Sequence, residues 1–318
     1  MSSDAPLPFT HYPLPAGTSL SAHFARGQDR CGIYVLTHED GTKYVGRTND
    51  VVRRCADHVR HAGRATGERI VSVHFAPVPA AELVRMEGEV VGYCEDHGMR
   101  LRNKLLTGMS FGPSPLDATV NEAEQLAFLT DEAPEQIPDS WLRASSGATP
   151  KKNTARLLAR ADVSSFVDAF ACYLFYALPD PAGTEGRFWM LTAPYQRMRN
   201  GHRALARLTV QNVETLVLLE DERGTYLVTN LAPYPAVRPE YRPEVIGNYT
   251  SNGPMQNLAL EAPVTASALV YDPVFRTAAR RAAVGLMRKG PCAQGRHHDR
   301  ALADAVYTRI HDLLKETP

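Results

Sequence analysis

Two tyrosines, an arginine and a histidine lie close together near the N-terminal end of the chain: Tyr34, Tyr44, Arg54 and His58. A phenol moves a proton at neutral pH only if its pKa, about 10 in water, is lowered or its proton is relayed. A guanidinium matches phosphate oxygens with paired donors, and an imidazole can orient or relay a proton. These residue types together suit phosphodiester hydrolysis, which needs an activated water and stabilisation of the charge that develops at phosphorus.

A β-hairpin would bring the two tyrosines together. The runs Ile33–Leu36 and Lys43–Val45 are rich in β-branched and aromatic residues, and His38–Gly41 between them ends in the Asp-Gly pair typical of hairpin turns. Pairing of the two strands places Tyr34 and Tyr44 near each other. We therefore expect both hydroxyl groups at one surface.

A helix should follow the hairpin. Asn49-Asp50 offers an N-cap, and residues 51–61 contain neither glycine nor proline. On this helix Arg54 and His58 are four residues apart, so they share a face. The pattern predicts that this face looks toward the tyrosines.

The paired elements resemble a known family. Gly32-Ile33-Tyr34, followed after nine residues by Tyr44-Val45-Gly46, is similar to the motif of the GIY-YIG nuclease domain, with Tyr-Val-Gly as a variant of the second element. Homing endonucleases, some restriction enzymes and the excision-repair incision subunit use this domain. The resemblance covers roughly residues 30–106 and implies an α+β fold, with helices on a mixed or antiparallel three-stranded sheet.

Two later segments extend the resemblance. Leu83–Val91 is similar to the family helix that carries a metal-binding glutamate, and the aliphatic residues three and four positions later indicate Glu87. Glu89 is the rival ligand, but it lies about 200° around a helix from Glu87, so only one of them can face the site. Leu101–Asn103 resembles the closing strand that delivers the family's asparagine. We expect Glu87 to hold Mg²⁺ or Mn²⁺.

The resemblance and the chemistry together suggest roles for the site residues. Tyr34 is the expected general base, and Tyr44 would orient the water or the phosphate. Arg54 would hold phosphate oxygens, and His58 would orient the tyrosine hydroxyl or relay its proton. Asn103 would brace the site through hydrogen bonds.

Plainer interpretations exist for the same residues. Tyrosines often pack half-buried sheets, and Lys43 and Arg47, which flank the second element, are either phosphate contacts or solvated surface charges. Gly46 would let the backbone approach the substrate, or would serve a turn. Five elements in order at suitable spacings favour the nuclease interpretation.

Composition favours a cytoplasmic protein of two domains. The 318 residues exceed the usual size of one domain, and the chain has no apolar run of membrane-spanning length and no recognisable signal peptide. Five cysteines are scattered without pairing intervals, which indicates reduced thiols. Cys292 with His297 and His298 does not complete a zinc site.

Charge and composition divide the chain into four segments. Residues 117–150 contain seven acidic residues and one basic residue, with several prolines, and are expected to be an acidic linker or connecting helix. An N-terminal extension at 1–29 and the nuclease domain at 30–116 precede this linker. A larger α+β domain at 151–318 follows it.

The C-terminal segment should alternate helices and strands. We expect a helix from Asn153 to Phe175 that is interrupted near Asp162, and two further helices at about 273–289 and 299–315. Four strands are predicted, with a hairpin at Glu222–Gly224 joining the second and third. The predicted strands are Phe188–Leu191, Val213–Leu219, Thr225–Thr229 and Ser267–Tyr271.

Basic residues of this segment are candidates for DNA contacts. Lys151 and Lys152 begin one predicted helix, and Arg280 belongs to a basic stripe on another, with Arg276, Arg281, Arg288 and Lys289. The polar and aromatic loop 247–253 is a candidate for reading bases. Solvated helix faces and a plain turn cluster are the alternatives.

These observations predict a metal-dependent endonuclease acting on double-stranded DNA, with a C-terminal domain that recognises the target. A homodimer and a protein partner of that domain are left open. Two alternatives remain at this point: a nucleic-acid-binding scaffold without catalysis, and a toxin-like nuclease that cleaves RNA.

Overall fold

The chain forms two compact units, Met1–Gly112 and Pro113–Pro318, in a computed structural model. The structure describes residues 5–65, 68–130, 143–198, 201–233, 253 and 255–316. The first unit therefore begins before residue 30 and ends before residue 116, the bounds expected for the nuclease domain.

A four-stranded antiparallel sheet and two helices make up the first unit. The strand order is β1-β4-β2-β3, so β3 is an edge strand. The strands are β1 (Thr10–Pro13), β2 (Gly32–His38), β3 (Lys43–Thr48) and β4 (Ile70–Pro77), and the helices are α1 (Val51–Ala65) and α2 (Leu83–Asp96). The α+β class is confirmed. The expected sheet gains a fourth strand, because β1 lies in the segment that the sequence suggested was an extension.

Alternate residues of β2 face opposite helices. On one face the sheet packs with α1, and on the other it packs with α2. The α1 face buries Tyr34, Leu36, Val51 and Cys55, and the α2 face buries Ile33, Val35, Met86 and Val90. Because both faces are covered, β2 is buried almost throughout and lacks the polar alternation of a half-exposed strand.

The expected closing strand at Leu101–Asn103 is a short parallel contact instead. The backbone N–H of Lys43 donates to the Arg100 carbonyl at 2.8 Å, and the Arg102 N–H donates to the Lys43 carbonyl at 2.7 Å. Leu101 forms only an isolated bridge with Lys43. The backbone pairing stops there, since the Asn103 side chain takes the next place beside β3.

The second unit contains an antiparallel sheet in the order β10-β9-β8-β7-β5, with the short β6 also paired to β7. Its strands are β5 (Trp189–Thr192), β6 (Gln196–Arg197), β7 (Arg203–Val210), β8 (Val213–Asp221), β9 (Gly224–Leu231) and β10 (Gln256–Leu260). Its helices are α3 (Glu122–Thr130), α4 (Lys152–Leu158), α5 (Val163–Ala177), α6 (Pro181–Thr184), α7 (Ala262–Tyr271), α8 (Pro273–Lys289) and α9 (Arg300–Glu316).

α5 is the central helix of this unit. It is apolar around most of its circumference and packs against α7, α8 and α9. The break expected near Asp162 separates α4 from α5, and the two predicted C-terminal helices correspond to α8 and α9. Within the described ranges, no helix combines the length and apolar character needed to cross a membrane.

The strand predictions succeed where the turn chemistry is local. β8 and β9 form the expected hairpin, in which Asp221 pairs with Gly224. The strand predicted at Ser267–Tyr271 is wrong, because these residues end α7. Pro263 lies in the first turn of that helix, and its buried residues recur at helical spacing: Ala262, Thr265, Ala268 and Leu269. The strands β1, β4, β6, β7 and β10 have no counterpart among the predicted strands.

The first part of the expected acidic linker belongs to the second unit. α3 and the turn Pro115–Ala118 pack against α8. Gln125 and Phe128 are buried there. Residues 117–130 therefore do not form a free linker, and residues 131–142 lie outside the described part of the chain.

The basic stripe expected on α8 is largely internal. Arg280 is 1% exposed, donates from Nε to the Tyr176 carbonyl at 2.8 Å, and donates from NH1 to the Phe128 carbonyl at 2.9 Å. Arg276, Arg288 and Lys289 are also buried. The assignment of Arg280 as a DNA contact is therefore wrong, because its donors hold backbone carbonyls inside the unit.

Substitution of Arg280 by methionine keeps most of the side-chain volume and removes the donors. We expect Arg280→Met to lower the free energy of unfolding by roughly 2–4 kcal/mol, because two buried carbonyl groups lose a partner at about 1–3 kcal/mol each. The matched control is Arg281→Met at an exposed position of the same helix, expected to change stability by less than about 0.5 kcal/mol. Urea unfolding measures both, and equal losses would contradict the structural role.

Candidate active site

Tyr34 and Tyr44 lie on the face of the sheet that α1 covers, with ring centroids 6.2 Å apart. Tyr34 pairs directly with Gly46 across β2 and β3. A Cβ atom at residue 46 would lie 2.5 Å from both Cζ and the hydroxyl oxygen of Tyr34. The space left by Gly46 is therefore filled by the Tyr34 phenol, and not kept for a substrate as the sequence suggested.

α1 delivers two partners to the Tyr34 hydroxyl. Asp50 caps the helix, since its Oδ1 accepts from the backbone N–H of Val52 at 3.0 Å. One turn apart on this helix, Arg54 Nε lies 3.3 Å and His58 Nε2 lies 2.9 Å from the Tyr34 hydroxyl oxygen. The His58 ring also lies 4.9 Å from the Tyr44 ring. The structure thus brings together the four residues with which the sequence analysis began.

The direction of these hydrogen bonds follows from donor chemistry. A guanidinium only donates, so the Tyr34 oxygen accepts from Arg54. The phenolic proton of Tyr34 is then free to be donated to His58 Nε2. Burial and the Arg54 charge lower the pKa of His58 to about 4, so its ring is neutral near pH 7 and has an unprotonated nitrogen to accept.

Burial also governs Tyr34, which is 1% exposed. Burial raises the pKa of Tyr34 above its ordinary value, and the hydrogen bond from Arg54 opposes this effect without overcoming it. Tyr34 is therefore protonated at neutral pH in the free protein. It can accept a proton from water only while it passes its own proton on.

Glu87 lies on α2 and faces the edge strand β3. Its Oε2 accepts from Arg47 Nε at 2.8 Å, and its side chain is 16% exposed. Burial raises the pKa of Glu87, while Arg47 lowers it. The Glu87 charge contributes to the raised pKa of Tyr34, so the two groups interact electrostatically. Glu89 points elsewhere and pairs with Arg85 at 2.5 Å.

Comparison with known families gave a match within the N-terminal unit. Residues 30–78 match the GIY-YIG catalytic domain. The resemblance seen in the sequence is thereby confirmed for this stretch, and the family is one of nucleases. Searches of curated proteins and of solved structures gave no significant match. The match ends before α2, so Glu87 and Asn103 lie outside it and their roles stay predictions.

Asn103 braces β3, the edge strand of the N-terminal sheet. Its Oδ1 accepts from the Val45 backbone N–H at 2.9 Å, and its Nδ2 donates to the Val45 carbonyl at 2.8 Å. Both polar groups of one β3 residue are satisfied by a single amide, as a neighbouring strand would satisfy them. Val45 lies between Tyr44 and Gly46, so this contact holds the strand that positions both. Asn103 is 5% exposed, which fits bracing better than substrate contact.

The other expected contacts differ in accessibility. Lys43 is half-buried, and its Nζ donates to Thr37 Oγ1 at 3.2 Å. Arg47 is half-exposed beside Glu87. In the second unit, Lys151 and Lys152 are exposed at the start of α4. The loop 247–253 lies outside the described residues except for Gly253.

An arginine network that the sequence analysis missed supports the hairpin turn. Arg102 donates from NH2 to Asp40 Oδ2 at 2.8 Å, and its other nitrogens contact Thr42 and Glu68. The charge and hydrogen bonds from Arg102 and Thr42 lower the pKa of Asp40 to about 2, although burial opposes this shift. Arg102 is sixty-two residues from Asp40, so sequence spacing carries no signal for the contact.

The residues at Glu87 fit a divalent cation. Among the described residues, no cluster of three or more His, Cys, Asp or Glu side chains could hold a metal by itself. Mg²⁺ does not require such a cluster, because it commonly binds one or two carboxylates, several waters and substrate phosphates. Glu87 supplies a partly buried carboxylate whose charge is now balanced by Arg47. This donor suits Mg²⁺ or Mn²⁺ when a phosphate completes the site.

The packing of Tyr34 against Gly46 can be tested with two glycine substitutions. Gly46→Ala should displace the Tyr34 ring and destabilise the unit by about 1–3 kcal/mol, the usual cost of overpacking. Gly88→Ala on α2 meets no atom within 4 Å and should stabilise the helix by about 0.5–1 kcal/mol. Urea unfolding and circular dichroism compare the two, and a Gly46→Ala protein as stable as wild type would refute this account.

The lowered pKa of His58 predicts acid sensitivity. The folded protein keeps His58 neutral down to about pH 4, whereas the unfolded chain takes up this proton near its ordinary pKa of 6.5. The unfolded state therefore binds more protons between these values, and stability is lost as the pH falls through them. His74, whose pKa is also lowered to about 4 by burial, acts in the same direction.

We accordingly expect the melting temperature of the protein to fall steadily from pH 7 to pH 4.5. His74→Gln should flatten this dependence, because glutamine does not titrate. Differential scanning fluorimetry across the pH series measures both curves. A melting temperature that is constant or rises on acidification would contradict the buried neutral state of these histidines.

Proposed function

We propose that this chain is a metal-dependent endonuclease that hydrolyses the phosphodiester bonds of DNA in its N-terminal unit. The main support is the Tyr34 hydroxyl, whose oxygen lies within hydrogen-bond distance of Arg54 and His58 of α1. The Glu87 carboxylate lies on α2, where it pairs with Arg47 of β3. A proton relay, a phosphate-binding cation and a carboxylate then lie around one pair of strands. This is the donor set that in-line attack on phosphorus requires.

Tyr34 is proposed as the general base through a relay. When a water attacks phosphorus, its proton passes to the Tyr34 oxygen as the phenolic proton moves to His58 Nε2. The 2.9 Å separation of these two atoms permits that transfer. Tyr34 remains uncharged before and after the step, so its raised pKa is not an obstacle.

Substrate binding would prepare His58 to accept this proton. In the free protein, burial and Arg54 lower the pKa of His58 to about 4, which makes its ring a weak base. A phosphate group bound beside Arg54 brings negative charge, which offsets the arginine and raises the pKa of the imidazole. Proton transfer is therefore favoured only when substrate is present.

Tyr44 and Arg54 are proposed to orient the reacting groups. Tyr44 is more exposed than Tyr34 and lies on the same face, where its hydroxyl would hold the attacking water or a phosphate oxygen. Arg54 has five N–H donors and uses some of them on tyrosine hydroxyls, so others remain for phosphate oxygens. Arg47 and Lys43 are further candidates for contacts to the DNA backbone.

Glu87 would hold the metal ion. When bound there, Mg²⁺ or Mn²⁺ stabilises negative charge that develops on the phosphate and on the leaving oxygen. Arg47 would then leave the Glu87 carboxylate and become available to the substrate. Asn103 keeps β3 in place throughout, because its amide satisfies the Val45 backbone.

The second unit is proposed to select the target, with Lys151 and Lys152 contacting the DNA backbone. The five free thiols are consistent with a cytoplasmic setting. Cleavage of both strands would need two active sites, either in a homodimer or by successive nicking. A protein partner of the second unit is the alternative to its recognition of DNA.

Two glutamates of α2 provide a matched test. Glu87→Gln should lower the cleavage rate by at least about a hundredfold, because an amide is a poor ligand for a hard cation. Glu89→Gln removes a carboxylate two residues away that pairs with exposed Arg85, and this variant should cleave like wild type. Cleavage of supercoiled plasmid with Mg²⁺ or Mn²⁺ gives the rates, and electrophoretic shift shows that both variants bind DNA.

Undiminished cleavage by Glu87→Gln would refute the metal role. Duplex DNA, single-stranded DNA and structured RNA are compared in the same assay. Faster cleavage of RNA than of DNA would show that RNA, and not DNA, is the substrate. No cleavage of any nucleic acid with either metal would favour a binding protein without catalysis.

A further inference from the structure

The second unit contains a positively charged cleft of about 960 Å³. Its wall includes residues 143–146, the turn after α6 and the segment that leads into α9. Four arginines and one glutamate supply the charged side chains of its lining: Arg143, Arg187, Arg296, Arg300 and Glu185. All of the residues that line the cleft belong to the second unit.

The charged groups on the floor of the cleft are already paired with one another. Arg143 donates to the Glu185 carboxylate through Nε at 2.5 Å and through NH2 at 3.0 Å, and donates to Asp304 through NH1 at 2.5 Å. Its guanidinium carbon lies 4.6 Å from the centre of the Tyr307 ring. The positive charge of Arg143 is thus balanced by Glu185 and Asp304. Because Glu185 is paired in this way, it does not repel an anion in the cleft.

His298 completes the floor. The backbone N–H of Leu191 donates to His298 Nδ1 at 3.0 Å, so this nitrogen carries no proton. His298 Nε2 therefore donates its proton to Glu185 Oε1 at 2.8 Å. Both ring nitrogens are engaged within the protein, and the histidine is not available as a metal ligand.

The thiol of Cys292 is not a reactive group of the cleft. It donates to the Phe188 carbonyl at 3.1 Å, and burial raises its pKa to about 12. The thiol is therefore protonated at neutral pH and unsuited to nucleophilic attack or zinc binding. Because both ring nitrogens of His298 are also engaged, the arginines are the groups of the cleft that can bind a ligand.

Three of the arginines lack acidic partners. Arg187, Arg296 and Arg300 are exposed, and no carboxylate of the described residues lies within ion-pair distance of any of them. Arg187 lies over the Phe188 ring at 5.0 Å, and Arg296 Nε contacts His297 at 3.2 Å. Three guanidinium groups gathered around one cleft without counter-charges repel one another, which an anionic ligand would relieve.

The positive surface continues beside the cleft. Thr154 of α4 donates a hydrogen bond to Asp299, the residue before Arg300. This contact places the start of α4, with exposed Lys151 and Lys152, close to the start of α9. A chain of phosphate groups could pass from the arginines to these lysines, whereas a single small anion would use only part of the surface.

We propose that the cleft lined by Arg187, Arg296 and Arg300 binds consecutive phosphate groups of a nucleic-acid strand. Guanidinium groups match phosphate oxygens with paired donors, and such contacts fix a nucleic acid without reading its sequence. That the strand is DNA depends on the proposed function of the N-terminal unit. The cleft itself is argued from the geometry and charge of the second unit alone.

The test removes the three open arginines together. In the full-length protein carrying Glu87→Gln, so that DNA is not cut, Arg187, Arg296 and Arg300 are changed to alanine. The matched control changes Arg197, Arg223 and Arg281, three exposed arginines elsewhere in the unit, to alanine. Both proteins lose the same charge. Fluorescence anisotropy with a labelled duplex measures the dissociation constant over a salt series.

We expect the cleft variant to bind at least roughly tenfold more weakly and its log–log salt dependence to become shallower by about 3, because each arginine neutralises one phosphate and each neutralised phosphate adds about one unit to the slope. The control variant should keep the parental slope and affinity. Equal weakening in both variants, or none in either, would overturn the proposal. Thermal melts confirm that both variants fold.

Calorimetric titration of the parental protein with a 5′-deoxynucleotide and with inorganic phosphate separates the possible sources of the anion. Tight binding of either small anion, abolished in the cleft variant without any change in duplex affinity, would overturn the polynucleotide assignment. The two proposals can fail separately. If the cleft variant loses duplex binding but the protein with wild-type Glu87 never cuts DNA, the nuclease function is refuted and this inference stands. If the protein with wild-type Glu87 cuts DNA but the cleft variant binds duplex as well as the parental protein, this inference is refuted and the nuclease function stands.

Discussion

The packing of the Tyr34 ring onto Gly46 is the contact on which the N-terminal site depends. Because residue 46 has no side chain, the Tyr34 phenol occupies the space beside it and its hydroxyl reaches α1. Arg54 and His58 can meet that hydroxyl only because Asp50 starts the helix at a fixed residue. One missing side chain therefore determines where the proposed relay can form.

Contacts between residues that are close in the sequence could be predicted, and contacts between distant residues could not. The hairpin, the cap and the shared face of Arg54 and His58 arise from neighbours and were visible in the residues. The clasp of Asn103 on Val45 joins residues fifty-eight positions apart, and the strand β4 pairs with β1 and β2, which both precede it by many residues. No local pattern specifies such partners, because they depend on how the whole unit closes.

The arginines of the second unit show the same limit for charge. Arg280 and Arg281 are adjacent in sequence, yet one is buried against carbonyl groups of other helices and the other is exposed. Helical spacing predicted a basic stripe on α8, but tertiary packing placed most of it inside. The number of basic residues on α8 therefore overstates how many of them a polyanion could contact. Exposed arginines remain in this unit, and three of them line the cleft before α9.

Burial has a further consequence at the N-terminal site, where it opposes the charged forms of Tyr34, His58 and Glu87. It keeps Tyr34 protonated, His58 neutral and the pKa of Glu87 above its ordinary value. Arginines do not lose their protons under these conditions, so Arg54 and Arg47 remain as cations. The free site consequently contains two cationic arginines and a neutral His58. In the proposed mechanism, an arriving phosphate would supply the negative charge that raises the basicity of this histidine, so that substrate binding itself would activate the relay.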